Sequence, residues 1–351
     1  MAKDGAKPLH GAAFDTRAVH AGEQADPSTR AHNLPIYQTA TFSFETDDEK
    51  EAAVDAALAW EPGAFFYSRT SNPTTAALEA KLASLEGAES AIASASGMAA
   101  VSASLLAHLK AGDHLVIADD LFIISQLLFA EDFPTRGIEV TPVAITDLDA
   151  VRAAMRPNTR VIYAEVLSNP WMRVSDIPAL SKIAHASKAL LVIDNTFLSP
   201  AVVRPLELGA DLVLHATTKW LAGHGDAIGG VVSGAKALVD PIRRQTDLLG
   251  QAASPFNSWL ISRGARTLSL RIERASANAS KLAALLEAHP KVEWVRHPSL
   301  ASHPDRAVAD AVLRGSWGAM LAFKPRAADG RSEEHTSELQ SLRHLVCRLL
   351  L

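Results

Sequence analysis

Apolar positions along this chain fall into two rhythms that alternate from about residue 74 onward. Helical spacing, with apolar residues recurring every three or four positions, marks TTAALEAKLASLE, and Gly87 directly after it predicts a C-cap. A small-residue turn, SASG, predicts the opening of a second helix through MAAVSASLLAHLKAGD. Short strand-like runs rich in apolar positions follow: HLVIA, IEVTPV, TRVIYAEV, ALLVID and ADLVLH, interspersed with helical ISQLLFAEDF, DLDAVRAAM and DIPALSKIAHAS. Strands apolar throughout are expected when helices cover both faces of a sheet, so the pattern predicts an α/β fold around a mostly parallel sheet. Ligands of such sheets bind beyond the carboxyl ends of the strands.

The flanking segments have a different character. Residues 1–60, with extended NLPIYQTATF and helical DDEKEAAVDAALAW, read as an N-terminal arm, and residues 61–262 as the main domain. After GGVVSGAKALVD the chain turns helical for a long stretch that includes SWLISRGARTLSLRIERASANASKLAALLEAHP. Strand-like KVEWVRH and GAMLAF follow, which predicts a smaller α+β domain over 263–330. No internal repeat is present.

Composition narrows the chemistry. With 351 residues, 48% of them hydrophobic, the chain has material for a large core. A formal net charge of -5 and the lack of any Lys/Arg cluster argue against a nucleic-acid partner. No secretory h-region stands in MAKDGAKPLHGAAFDTRAVHAG and no eighteen apolar residues run together, so a cytoplasmic protein without a membrane partner is expected. The single cysteine, Cys347, rules out disulfides, cysteine metal sites and a thiol nucleophile in the body of the chain; no metal is expected.

Three strand ends carry polar groups: AEVLSNP offers Glu165 and Asn169, LLVIDNTF offers Asp194, and LVLHATTKW offers Thr217, Thr218 and Lys219. Two readings of Asp194 and Lys219 stand side by side. One is an ion pair that fixes the fold. The other is a lysine that forms a Schiff base with an aldehyde cofactor while the aspartate binds a pyridine nitrogen. The second reading needs an anion site, and Gly97 and Met98 in SASGMAA would open a helix whose N-terminus favours a phosphate; a plain tight turn is the alternative. Tyr67 and Arg69 in FYSRTSNPTT offer a phenol and a guanidinium, or else a solvated loop.

Taken together, YSRTSNPT, SGMAA, EVLSNP, VIDNTF, RPLELGAD and HATTKWLAGHGD, in this order and spacing, resemble the pyridoxal-phosphate (PLP) enzymes of cysteine and methionine metabolism, from about Thr16 to Pro325. That family includes cystathionine gamma-synthase, homoserine-ester sulfhydrylases, and cystathionine and methionine lyases. The resemblance implies fold type I of the PLP-dependent transferases (aspartate aminotransferase-like), with residues 61–262 as the cofactor domain. It makes Lys219 the lysine that carries the cofactor and then moves substrate protons, and Asp194 the carboxylate on the pyridine nitrogen. Gly97 and Met98 become backbone donors to the phosphate, with Thr218 as a nearby hydroxyl. Tyr67 and Arg69 match residues that reach the phosphate of a neighbouring subunit, which implies a homo-oligomer, commonly a tetramer, with shared sites. Asn169 matches an amide near the ring and the substrate carboxylate, and Glu165 a carboxylate in the same wall. The implied activity is gamma-replacement on an O-acyl-homoserine with cysteine or sulfide. Alternatives are a cystathionine or methionine lyase acting on a small amino acid, or a PLP-binding chain without turnover.

Four departures from the family pattern stand out. The family's DD-hydrophobic-YGGT stretch reads DDLFIIS here, so Phe122 takes the place of the tyrosine over the ring, with no hydroxyl to accept a proton from an incoming amine. Phenylalanine there resembles some homoserine-ester sulfhydrylases. The paired glycines are replaced by Ile123 and Ile124. Ala216 stands where HSATK supplies a serine hydroxyl to the phosphate; the neighbouring Thr217 offers a hydroxyl, but its side chain is expected to point elsewhere, so weaker phosphate binding, not its loss, is expected. Finally, RSEEHTSELQSLRHLVCRLLL, residues 331–351, shares nothing with the family's C-terminal pattern and resembles a translated sequencing adaptor, so a carboxylate-binding arginine is expected to be missing and the chain to be a fragment of an active enzyme.

Overall fold

The computed structural model describes residues 11–326 and 345–347. In chain order the elements are α1 (Phe14–His20), α2 (Asp47–Leu58), α3 (Pro73–Glu86), β1 (Ser90–Ser94), α4 (Gly97–Leu106) and β2 (His114–Ala118). Next come α5 (Ile123–Leu127), a π-helical turn (Leu128–Asp132), α6 (Phe133–Thr135), β3 (Glu139–Val143), α7 (Leu148–Ala154), β4 (Thr159–Glu165), α8 (Ile177–Ala186) and β5 (Leu190–Asp194). A 3-10 turn (Pro205–Leu208) leads to β6 (Leu212–His215), β7 (Gly230–Gly234), α9 (Lys236–Leu248), α10 (Pro255–Ala265) and α11 (Leu268–Glu287). The last elements are β8 (Val292–Arg296), α12 (Arg306–Leu313), β9 (Leu321–Pro325) and β10 (Leu345–Cys347). The chain forms two compact units, residues 1–110 with 211–268, and residues 111–210 with 269–351.

In the first unit the strand order is β1-β7-β6, and both pairings are antiparallel. Helix α3 lies against β1 and β7, and α4 against β6 and β7. Strands β1, SAIAS, and β7, GVVSG, lack the long apolar run that marks the others, because serine, alanine and glycine have little β-preference of their own; pairing makes them strands. Helix α3 begins on the Asn72 side chain, which accepts the Thr74 N–H at 2.9 Å, with Pro73 at the first position, and it ends at the left-handed Gly87, φ 72°. The fully buried Lys81 of α3 donates to Ala18 O at 2.7 Å and Val19 O at 3.2 Å and pairs with Glu23 at 2.9 Å. Arg266 holds the other side of Glu23, so the chain around α1 is fastened to α3 through buried charge. Arg266 sits in the short break between α10 and α11, where the sequence reads as helical without interruption.

In the second unit the order is β5-β4-β2-β3, parallel throughout. All five residues of β2 are buried, as the unbroken apolar runs predict, and α8 packs on β4 and β5. The stretch read as one helix, ISQLLFAEDF, is α5 followed by a π-helical turn, a distortion common near functional sites. The same unit holds an antiparallel sheet in the order β10-β9-β8, where Val295, Leu300 and Leu321 pack with Ala283 of α11. Apart from Leu345–Cys347, the segment 331–351 lies outside the described residues.

Candidate active site

Several of the polar candidates stand at strand ends within each unit. In the second unit, Glu165 closes β4 and Asp194 closes β5, and the two are register partners in the parallel ladder. Both oxygens of Glu165 are taken by backbone donors: Oε1 accepts the Phe122 N–H at 2.7 Å and Oε2 the Asn169 N–H at 3.1 Å. Burial first, and the Asp194 charge second, push the Glu165 carboxyl well above the usual carboxylate range, against the pull of those two donors. Asp194 Oδ1 accepts the Thr196 N–H at 2.8 Å, and Tyr163 Oη lies 3.4 Å from Asp194 Oδ2. Phe122 is the residue on which α5 begins, while Ile123 and Ile124 behind it are exposed at 54% and 45%, so the residues that replace the glycine pair project toward solvent.

In the first unit, Ser96 caps α4 by accepting the Ala99 N–H at 3.1 Å, which leaves Gly97 and Met98 as the first two helical positions. First-turn N–H groups have no intrahelical acceptor, and the helix dipole favours an anion there. Gly97 is required: a Cβ on it would lie 2.6 Å from the Ala216 Cβ. The end of β6 is fixed by His215, whose Nε2 meets Glu86 Oε1 at 2.5 Å with both side chains buried. The segment after it is a tight turn, with Lys219 N–H to Ala216 O at 3.1 Å and Gly223 N–H to Lys219 O at 2.8 Å. Thr218 Oγ1 accepts the Gly229 N–H at 3.1 Å. Thr217 is fully buried, faces Gly229, and its Oγ1 has no hydrogen-bond partner among the described residues. Arg69 lies 5.1 Å over the Tyr67 ring and pairs with Asp247 of α9 at 2.9 Å; that partner raises its already high pKa.

Sequence matching places these residues in context. The family model for the Cys/Met metabolism PLP-dependent enzymes matches residues 15–347. The chain belongs to this family. It is 42% identical to an L-methionine gamma-lyase of Pseudomonas putida, over 93% of this chain and 81% of that protein. It is also 42% identical to a cystathionine gamma-synthase of Mycobacterium bovis, over 89% of this chain and 78% of that one. A crystal structure of cystathionine gamma-lyase from Lactobacillus plantarum superposes with a TM-score of 0.83 at 36% identity, covering 90% of this chain and 79% of that one. The protein is therefore a PLP-dependent enzyme of cysteine and methionine metabolism with the fold type I architecture, and its cofactor is pyridoxal 5'-phosphate.

The residues present suit that cofactor. A lysine, a carboxylate at a strand end, a ten-residue helix that opens on glycine, and an orphaned buried hydroxyl at Thr217 are the donor and acceptor types that a phosphorylated pyridine aldehyde needs. Among the described residues no group of three or more His, Cys, Asp and Glu is placed to hold a metal ion, and no helix is long and apolar enough to cross a membrane.

Sequence reasoning passed over Tyr163, Ser125 and Asp120. Tyr163 stands two positions before Glu165 on β4 and so shares its face of the strand, a period-two signal hidden by the uniformly apolar run around it. Asp120 directly follows the strand-end Asp119, and burial raises its carboxyl above the usual range. Ser125 is buried on α5, and nothing in its local sequence marks it.

Proposed function

We propose that this enzyme replaces the gamma substituent of an O-acyl-homoserine with a sulfur nucleophile, cysteine or sulfide. The reading is supported most by Phe122: its backbone is held by Glu165 at the position where the family's tyrosine is expected, yet it brings no phenol. Proton movements would then fall to Lys219, the residue that would hold the cofactor aldehyde and, when released, carry protons between the substrate carbons. When bound, pyridoxal phosphate supplies the electron sink that these proton removals require. Asp194 would accept the ring N–H, and Gly97, Met98 and Thr218 would hold the phosphate. Phe122 would cover one ring face and exclude water, and Asn169 would bind near the ring and the substrate carboxylate. Glu165 holds Phe122 and Asn169 in place. Tyr67 and Arg69 would serve a second copy of the chain in a homo-oligomer.

A second reading, elimination from cystathionine or methionine, draws support from the relatives: a methionine gamma-lyase and a canavanine gamma-lyase of Pseudomonas canavaninivorans match over 93% and 97% of this chain. Purified protein given O-succinyl- or O-acetyl-homoserine with cysteine or sulfide is expected to yield the thioether or thiol product. Keto acid and ammonia from cystathionine or methionine alone would transfer the assignment to elimination. No product from any mixture would leave a cofactor binder without turnover. Lys219→Ala is expected to abolish the borohydride-sensitive visible absorbance of the bound cofactor.

A further inference from the structure

Tyr163 is fully buried, and its phenol points at a carboxylate that the proposed chemistry needs in ionised form. Its Oη donates to Asp194 Oδ2 at 3.4 Å, and the Ser125 hydroxyl of α5 hydrogen-bonds the Tyr163 oxygen in turn. The phenol is held from the side by Phe129 of the π-helical turn, edge to face at a centroid distance of 5.3 Å. The chain Ser125, Tyr163, Asp194 thus joins the helix that follows Phe122 to the end of β5.

The electrostatic situation explains why a donor is placed there. Asp194 and Glu165 are register partners, and two nearby carboxylates in a buried setting resist being ionised together. A protonated Asp194 is no partner for a pyridine nitrogen that must keep its own proton. Donated hydrogen bonds favour the ionised form of a carboxylate. Asp194 Oδ1 accepts the Thr196 N–H, and Oδ2 accepts the Tyr163 hydroxyl. Burial, with the Asp194 and Glu165 charges behind it, keeps the phenol pKa well above its usual value, so Tyr163 is a donor at every working pH. Its own acceptor side is met by Ser125, and hydrogen bonds in such a chain strengthen one another.

We propose that Tyr163, backed by Ser125, is a positioning residue that keeps Asp194 ionised and thereby keeps the ring nitrogen of the cofactor protonated. The proposal rests on the assignment of Asp194 to that nitrogen. At 3.4 Å the bond is long for O–H···O, and active-site hydrogen bonds commonly tighten when the site is filled.

Tyr163→Phe removes the hydroxyl and keeps the ring against Phe129, so it separates the hydrogen bond from packing. With cofactor labelled by 15N in the ring, the resonance in the wild-type protein is expected at the pyridinium position, shifted toward neutral pyridine in Tyr163→Phe, and by less in Ser125→Ala. A second measurement needs no cofactor: in the cofactor-free protein with 13C-labelled aspartate, the Asp194 carboxyl is expected to titrate about one unit higher in Tyr163→Phe, a tenfold change in proton affinity. Among the described residues of this unit, Tyr163 and Glu165 on β4 and Asp120 after β2 titrate in this neighbourhood, with Asp119 and Arg173 beside Asp120, and only Tyr163 is altered. An unchanged Asp194 titration in a folded Tyr163→Phe protein overturns the proposal, as does an unchanged ring-nitrogen shift; if that variant does not fold, Ser125→Ala carries the same two readouts. Failure of the broader functional reading would show differently, as a wild-type protein that never takes up the cofactor on Lys219.

Discussion

Glu165 and Asp194 face each other across two neighbouring parallel strands, one at the end of β4 and the other at the end of β5. Their roles are set by what each accepts. Glu165 spends both oxygens on the main-chain N–H groups of Phe122 and Asn169, so it is tied to the protein, while Asp194 accepts from the Thr196 N–H and from the Tyr163 phenol.

Glu165→Gln tests that division of labour. A glutamine amide offers one acceptor where two N–H donors wait, and turns an NH2 toward the other. The expected loss is about 1–3 kcal/mol of stability, the cost of a buried donor left unsatisfied, reduced in part by removal of the like charge beside Asp194. Thermal unfolding measures the net loss. Cofactor affinity is also expected to fall, because Phe122 and Asn169 lose their anchor.

Gly97→Ala puts a methyl group 2.6 Å from the Ala216 Cβ. The first turn of α4 or the turn after β6 has to move, at a cost of about 1–3 kcal/mol. Adding Ala216→Gly is expected to restore both the melting temperature and cofactor binding, and a double variant no better than the single one would show that the contact is not the cause.

Ala216→Ser supplies the hydroxyl that the family pattern places beside the phosphate. One more charge-assisted hydrogen bond is expected to tighten cofactor binding by about tenfold, from about 1.5 kcal/mol. Fluorescence titration of the cofactor-free protein with pyridoxal phosphate reads it directly, and unchanged affinity would argue against a phosphate at this place.

The buried His297 predicts acid sensitivity. Its Nε2 donates to Gly318 O at 3.3 Å, and its Nδ1 accepts from Ser299 N–H at 3.2 Å, a pattern that fits the neutral ring. Burial holds its pKa at about 4, against 6.5 ordinarily. The unfolded chain therefore binds a proton below pH 6.5 that the folded chain refuses until about pH 4, so stability present above 6.5 is lost as pH falls through that window. The loss is about 3 kcal/mol from this residue. His108, His114 and His303 are also lowered by burial and add slope of the same sign. In His297→Gln, denaturant midpoints measured from pH 7 to 4 are expected to decline less steeply.

Much of the second unit was legible because β2, β4 and β5 are buried along nearly their whole length, which leaves apolar runs such as HLVIA with polar residues toward their ends. Strands β1 and β7 were not, since small residues there carry no pattern and take their conformation from each other. The π-helical turn was hidden for a related reason: helical periodicity does not report one extra residue in a turn. Glu165 was visible as a polar strand end, but its attachment to Phe122 was not.

By itself the sequence determined which segments build a covered sheet, which polar side chains stand at its carboxyl ends, and the motif order that marks the family, because these are properties of near neighbours along the chain. Only the tertiary structure decided what each group is bonded to. Phe122 and Glu165 are 43 residues apart and Tyr163 and Asp194 are 31 apart, and such pairs meet through strand register and packing, which local composition does not encode.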